Sequence, residues 1–419
     1  MADRITAPRG TADILPGEVF LWQTIEATAR QKFKAYNYKE IRTPLFEASK
    51  LFKRSLGQTS EVVNKQLLEL KSDKDEGFAL RPEGTASIVR SYIENNLDKK
   101  EGLSKLYYMG AMFRGERPQK GRLRQFHQIG AEVIGAKAEH PYWDAEIISL
   151  SVELLKAFGV EGCELTVNSL GSHTDKEEFS KKLRALLKKD KQGLCQDCQD
   201  RLKRNVFRVL DCKNESCKRI VRSLQLDHSH LSKESLEHYT SVKKGLNISG
   251  VQYREDVRLV RGLDYYTHTV FEITNKKLGS QDAVCAGGRY NDLVKQLGGA
   301  DVPAIGFALG IERALLAREA SSDVREADPD CYLVVLDGAY LDQALKLLVQ
   351  LRAQGISAEM SFRSGSMKSL MREADKSAAA HVAIIGENEI KARKVSLKNM
   401  KSGEQREVAF DALVNTLKG

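Results

Sequence analysis

No apolar run in the 419-residue sequence approaches the ~20 residues that a membrane-spanning helix needs, so no membrane partner is expected. The opening residues, MADRITAPRGTADILPG, lack an apolar h-region and the amphipathic Arg/Ser character of a transit peptide. Neither secretion nor import is therefore expected, and a cytoplasmic location is. Seven cysteines, an odd number in a long chain, do not make the paired framework of a secreted disulfide scaffold and fit a reducing compartment. The G-x-G-x-x-G dinucleotide fingerprint is also missing, which argues against a Rossmann cofactor site. Disorder is excluded by composition, since 42% hydrophobic and 29% charged residues can build ordinary cores, and the length allows two or three domains.

The chain does have positive charge, a net +9. Residues 171–245 hold 18 Lys+Arg against 11 Asp+Glu, so most of the excess sits in one middle segment. That segment is either a set of solvated helix faces or an insert that touches an RNA backbone.

The chain is organised around residues 112–132, MFRGERPQKGRLRQFHQIGAE. An aromatic run (Leu106, Tyr107, Tyr108) leads into Arg114, Glu116, Arg117, Lys120, Arg122 and Arg124, broken by Pro118 and Gly121. Alternation returns at Phe126, His127, Gln128 and Glu132. The pattern predicts a strand, a mobile basic loop and a returning strand. Arg114 and Glu116 then share a face of the first strand, and Phe126, Gln128, Gly130 and Glu132 share a face of the second. An arginine, carboxylates, an amide and an aromatic on one sheet face make a poor core and a plausible polar site. A solvated hairpin with a charged tip is the plainer alternative.

Elsewhere, Val19, Trp22, Ile25, Ala29 and Phe33 recur at helical spacing over residues 16–36, and YKEIRTP (38–44) reads as a strand ended by proline. Residues 78–81 read as a strand that turns through Pro82, Glu83, Gly84 and Thr85 into a helix from Ala86. Glu83 and Thr85 suit either a helix cap or an ammonium ligand. Residues 140–158 read as a helix and 165–170 as a strand. Residues 171–250 are basic and helical and carry Cys195-x2-Cys198 and Cys212-x4-Cys217. Four thiolates would suit tetrahedral zinc, although the second pair is wider than usual; buried thiols acting as small hydrophobes are the alternative. In DVRLVRGLDYYTHTVFE (256–272), two strand-like runs flank Arg261–Tyr266. Gly287 and Gly288 would allow backbone to approach a ligand, and Gly306 and Gly310 would thin the backbone ahead of a helix at 312–318. After a polar linker at 321–330, strands and helices alternate through a compact α/β domain whose charge is nearly balanced, 13 basic to 12 acidic from Asp328 on.

FRGERPQKGRLRQFHQ closely resembles the second signature motif of class II aminoacyl-tRNA synthetases, in the form found in histidyl-tRNA synthetases. RGLDYY and GGRYND resemble the two histidine signatures of that family, the second departing from the usual GGRYDGL at Asn291–Asp292. Residues 16–44 resemble the first class motif, and AIGFALGIER (304–313) the third. The resemblance implies an α/β (α+β) architecture. A class II antiparallel-sheet catalytic domain (1–170 and 251–320) is interrupted by a helical insertion (171–250) and followed by a mixed α/β anticodon-binding domain (328–419). It implies histidine–tRNA ligation through histidyl-adenylate, with ATP, Mg²⁺, L-histidine and tRNA(His) as substrates and partners, in a homodimer. Arg114 would clamp the histidine carboxylate and ATP α-phosphate with Arg261, and Arg313 would hold the γ-phosphate. Glu116 would meet the adenine amino group, Phe126 would stack on the ring, and Arg122 would assist at ATP. Glu83 and Thr85 would take the α-amino group, with Tyr290 beside it. Glu132 and Tyr266 would flank the imidazole, with Gln128 and Tyr265 lining the same pocket. Gln119, Lys120, Arg122 and Arg124 would read the tRNA acceptor end. The family itself implies no metal at Cys195, Cys198, Cys212 and Cys217. Two rival readings share the fold: the synthetase-like regulatory subunit of ATP phosphoribosyltransferase, which lacks the C-terminal domain and has eroded motifs, and a nucleic-acid-binding accessory protein.

Overall fold

The computed structural model describes residues 4–57, 60, 62–71, 77–279, 281–319 and 328–418. Most of the linker expected at 321–330 lies outside them. The chain divides into two units, residues 1–322 and 323–419.

The first unit is built on an eight-stranded sheet, ordered Lys39–Glu40, Ser104–Phe113, Gln125–Ile134, Ala304–Gly310, Ala283–Arg289, Thr267–Asn275, Cys163–Ser169 and Arg254–Glu255. The six central strands run antiparallel and the two short edge strands pair in parallel. At its centre is the expected hairpin, with Leu106 opposite Glu132, Tyr108 opposite Gly130 and Gly110 opposite Gln128. Its alternation separates two cores. Ile129, Ala131 and Val133 point to one face, where they pack with Ile25, Ala29 and Phe33 of helix Pro16–Ala35, Ile147 and Leu154 of helix Tyr142–Ala157, and Tyr239 and Val242 of helix Lys233–Ile248. Phe33 stacks on Tyr107 with ring centroids 4.2 Å apart, a pairing worth about 0.5–1.5 kcal/mol beyond its buried area. The opposite face carries Tyr108, Met112, Tyr265, Tyr266 and Tyr290, closed by Ile88 and Val89 of helix Thr85–Glu94.

Two expected strands are shorter than their patterns suggest. In 38–44 only Lys39–Glu40 pairs, alongside Leu106 and Tyr107. In 256–272 the first run does not extend the sheet; pairing stops at Arg254–Glu255. There Asp256 closes a turn, its carboxylate accepting from Arg258 N (3.0 Å) and its carbonyl from Leu259 N (2.9 Å). The Arg258 guanidinium donates to the carbonyl of Leu224 at 2.9 Å. Local Asx chemistry and an anchor in the insert override the apolar alternation.

The basic insert folds as helices His173–Lys188, Gln196–Arg204, Phe207–Leu210 and Glu215–Ser223. They surround a core of Phe179, Leu183, Leu187, Val209, Val221 and three of the cysteines. Ser172 and Asp175 form a reciprocal capping box at its start.

The second unit is a five-stranded sheet ordered Ala358–Met360, Cys331–Val335, His381–Ile385, Lys394–Asn399 and Gln405–Ala409, the first three parallel. Helices Leu341–Ala353, Met367–Lys376 and Phe410–Lys418 match the alternation read from sequence; the short helix Glu387–Ala392 was not expected.

Candidate active site

Glu132 sits mid-sheet, fully buried, between Leu106 on one neighbouring strand and Gly306 on the other. It accepts hydrogen bonds from Thr85 Oγ1 (2.7 Å) and the Tyr290 hydroxyl. Burial pushes its pKa up to about 8, the nearby Glu83 adding to the rise and the two hydroxyl donors opposing it. Gly306 faces Glu132 so closely that a methyl group there would collide with the carboxylate, so the thin backbone at Gly306 makes room for Glu132. A Cβ on Gly287 would run into the Gly306 carbonyl, and one on Gly288 would lie 2.5 Å from the Thr269 carbonyl, so both glycines also serve strand packing.

Glu83, the residue before the N-cap Gly84, accepts from the first two amides of helix Thr85–Glu94, those of Thr85 (2.7 Å) and Ala86 (2.9 Å). Burial raises its pKa as well, against those same hydrogen bonds. Tyr265 and Tyr266 lie with centroids 4.6 Å apart, and Tyr265 meets Tyr290 edge-on at 5.7 Å. Desolvation pushes the Tyr266 hydroxyl up to about 12. Phenols with raised pKa thus lie around two buried carboxyl groups. Gln128 Oε1 and the Tyr108 hydroxyl are buried without a hydrogen-bond partner among the described residues. Unpaired buried polar atoms are costly, and here they are available to a polar ligand.

The cationic side begins at Arg114, one residue beyond the strand Ser104–Phe113 rather than within it. Its Nε donates to the Pro82 carbonyl at 2.9 Å and its guanidinium carbon lies 5.1 Å from the Phe126 ring centroid. Glu116 pairs with Arg122 at 3.2 Å. Arg313 donates from Nε to the Gly121 carbonyl (3.0 Å), and its other nitrogens meet the Ala283 and Gln281 carbonyls. Arg261 pairs with Glu272, while its Nε is buried without a partner among the described residues. The loop is stitched by Gln119 and Arg122, which exchange backbone hydrogen bonds (3.0 and 2.9 Å), and by Arg124 N donating to Gly10 O at 2.6 Å. Gln66, Glu116, Arg117, Pro118, Gln119 and Arg122 line a cavity of about 510 Å³ beside it. Lys120 projects from the exposed tip.

Sequence reasoning missed Tyr108, Glu272, and the buried ion pair between Arg289 and Asp144, in which Arg289 Nε donates to the carboxylate at 2.8 Å. Tyr108 could have been found: once the hairpin register is drawn it stands opposite Gly130, on the Glu132 face. The Arg289 pair had no local signal, because its partner is 145 residues away.

The family description "Histidyl-tRNA synthetase" matches residues 10–314, and "Anticodon binding domain" matches residues 330–419. The chain is 42% identical to the histidine–tRNA ligase of Halothermothrix orenii, over 99% of each protein. It is 41% identical to that of Bacillus subtilis, over 98% of each. The apo structure of the S. aureus histidyl-tRNA synthetase superposes with a TM-score of 0.82 at 36% identity, covering 99% of this chain and all of that one. With the buried carboxyl–phenol pocket and the arginines around it, these matches lead to one conclusion: the chain belongs to the histidyl-tRNA synthetase family.

Proposed function

We propose that this chain works as a histidine–tRNA ligase, with the pocket around Glu132 reading histidine and the arginine side driving its activation. Histidine and ATP, entering as its Mg²⁺ complex, give histidyl-adenylate and pyrophosphate, and histidine then passes to the 3′-terminal ribose of tRNA(His). The observation that carries the reading is the buried Glu132, which accepts from Thr85 and Tyr290 among neighbouring phenols. An imidazole has two ring nitrogens; Glu132 takes one and Tyr266 the other, with Tyr265 and Gln128 completing the wall. Glu83, Thr85 and Tyr290 receive the α-ammonium.

Arg114 and Arg261 grip the carboxylate and α-phosphate, where planar guanidinium groups bind two oxygens at once. Phe126 stacks the adenine, Glu116 takes its amino group, Arg122 assists, and Arg313 meets the γ-phosphate. Catalysis is then positioning and charge stabilisation without a protein nucleophile. Gln119, Lys120, Arg122 and Arg124 receive the acceptor end, and residues 328–419 the anticodon. We place the protein in the cytoplasm as a homodimer. Leu45 and Phe46, 48% and 51% exposed, offer apolar surface to a second copy.

Glu132 sets the pH dependence. Site and neutral histidine together hold one proton when Glu132 is protonated. Below the imidazole pKa of about 6.5 binding must release a second proton, and above the Glu132 value of about 8 it must take one up. Histidine affinity should peak between these limits and fall on both sides. Glu132→Gln should weaken histidine binding about tenfold or more and abolish the alkaline limb attributable to Glu132. Titration of the substrate ammonium is common to both proteins and cancels in their ratio. Calorimetric titration from pH 5.5 to 9 checks this; an unchanged alkaline limb in the variant would remove the imidazole role of Glu132.

A further inference from the structure

The four cysteines of the insert converge. Cys195 precedes helix Gln196–Arg204, Cys198 lies in its first turn, Cys212 follows helix Phe207–Leu210, and Cys217 lies in helix Glu215–Ser223. Their sulfur atoms all lie within 4.8 Å of one another, and the Cys195 and Cys212 sulfurs are 3.8 Å apart. A single zinc ion with Zn–S bonds of about 2.3 Å holds its four sulfurs on a tetrahedron with edges of about 3.8 Å. A disulfide would bring a pair to about 2.05 Å, and all four thiols are free. Cysteines acting as small hydrophobes have no reason to aim at one point from three segments. Two of the sulfurs also have donors beside them: Cys195 N donates to Cys217 Sγ at 3.2 Å, and an Arg201 nitrogen lies 4.0 Å from Cys198 Sγ.

We propose that Cys195, Cys198, Cys212 and Cys217 bind one structural zinc ion as thiolates, which ties the helices of the insert together. Without the ion, the insert loses the staple that a small core needs.

The full chain, purified under reducing conditions, should contain about one zinc ion per protomer. Exchange with Co²⁺ should give the thiolate-to-metal absorption and visible bands of a tetrahedral four-sulfur site. Cys198→Ser and Cys217→Ser should each lose the metal. Stripping the ion from the full chain with a chelator should lower its thermal unfolding midpoint, a readout that does not depend on a cysteine variant folding. Metal-free protein with four reactive thiols in the insert, or with disulfides there, would overturn the zinc site.

Discussion

Arg261→His should lower histidine-dependent ATP–pyrophosphate exchange by about 10²–10³-fold, the loss seen when one preorganised donor is withdrawn from developing charge. The position of the side chain explains the size. Arg261 follows the Asp256 turn, its guanidinium is anchored to Glu272, and its buried Nε has no partner among the described residues. One part of the group is thus fixed by the protein and another is left for a ligand. Imidazole is shorter, cannot span both tasks, and lacks the fork that binds two oxygens. Folding should be little affected, because Glu272 keeps a quarter of its side-chain surface exposed and can be hydrated when its partner is lost. The assay is pyrophosphate exchange with circular dichroism and thermal unfolding alongside. Near-normal exchange in a folded variant would remove the role assigned to Arg261.

Arg289→Ala should destabilise the first unit by about 3–5 kcal/mol, the cost of stranding one member of a buried ion pair. Arg289 and Asp144 are both essentially inaccessible, and the guanidinium also donates to the carbonyls of Glu139 (3.3 Å) and His140 (3.2 Å). It thereby ties the end of strand Ala283–Arg289 to the start of helix Tyr142–Ala157, and so holds Tyr290 against Glu132. His238 lies 3.9 Å from the same carboxylate. Its pKa is lowered by burial and by the field of Arg289, against the pull of Asp144. Once Arg289 is gone its share of that depression is lifted while the pull of Asp144 remains, and a protonated His238 can partly neutralise Asp144. The penalty should therefore be smaller near pH 5 than near pH 8, since protonation of His238 is available only at the lower pH. Replacing both partners, Arg289→Met with Asp144→Leu, should recover much of the loss. Denaturant unfolding at the two pH values reads all three effects. An equal penalty at both would contradict the part given to His238.

What was legible in the sequence follows from the range of the interactions. The central hairpin was readable because strand alternation is a local signal: Phe126, Gln128, Gly130 and Glu132 had to share a face, and they do. The second unit was readable for the same reason, apart from the short helix Glu387–Ala392. Asp256–Val260 was misread because one Asx turn and the long reach of Arg258 outweighed an alternating pattern. The packing role of the glycines was not legible because it comes from neighbours distant in sequence. Gly306 is small because of Glu132, and Gly287 because of Gly306. The spacing of the cysteines left metal and packing open; only the fold shows their sulfur atoms meeting. Family resemblance supplied the roles of Arg114, Arg261 and Arg313, which pattern alone did not.

The account stands on one claim above the rest: this site activates histidine, and histidine only. The direct measurement is ATP–pyrophosphate exchange without tRNA, run with each of the twenty amino acids. The account predicts exchange with histidine alone, because Glu132 and Tyr266 leave buried polar groups unpaired against any side chain that lacks two ring nitrogens. Exchange with no amino acid, from a folded protein, or equal exchange with several would contradict it.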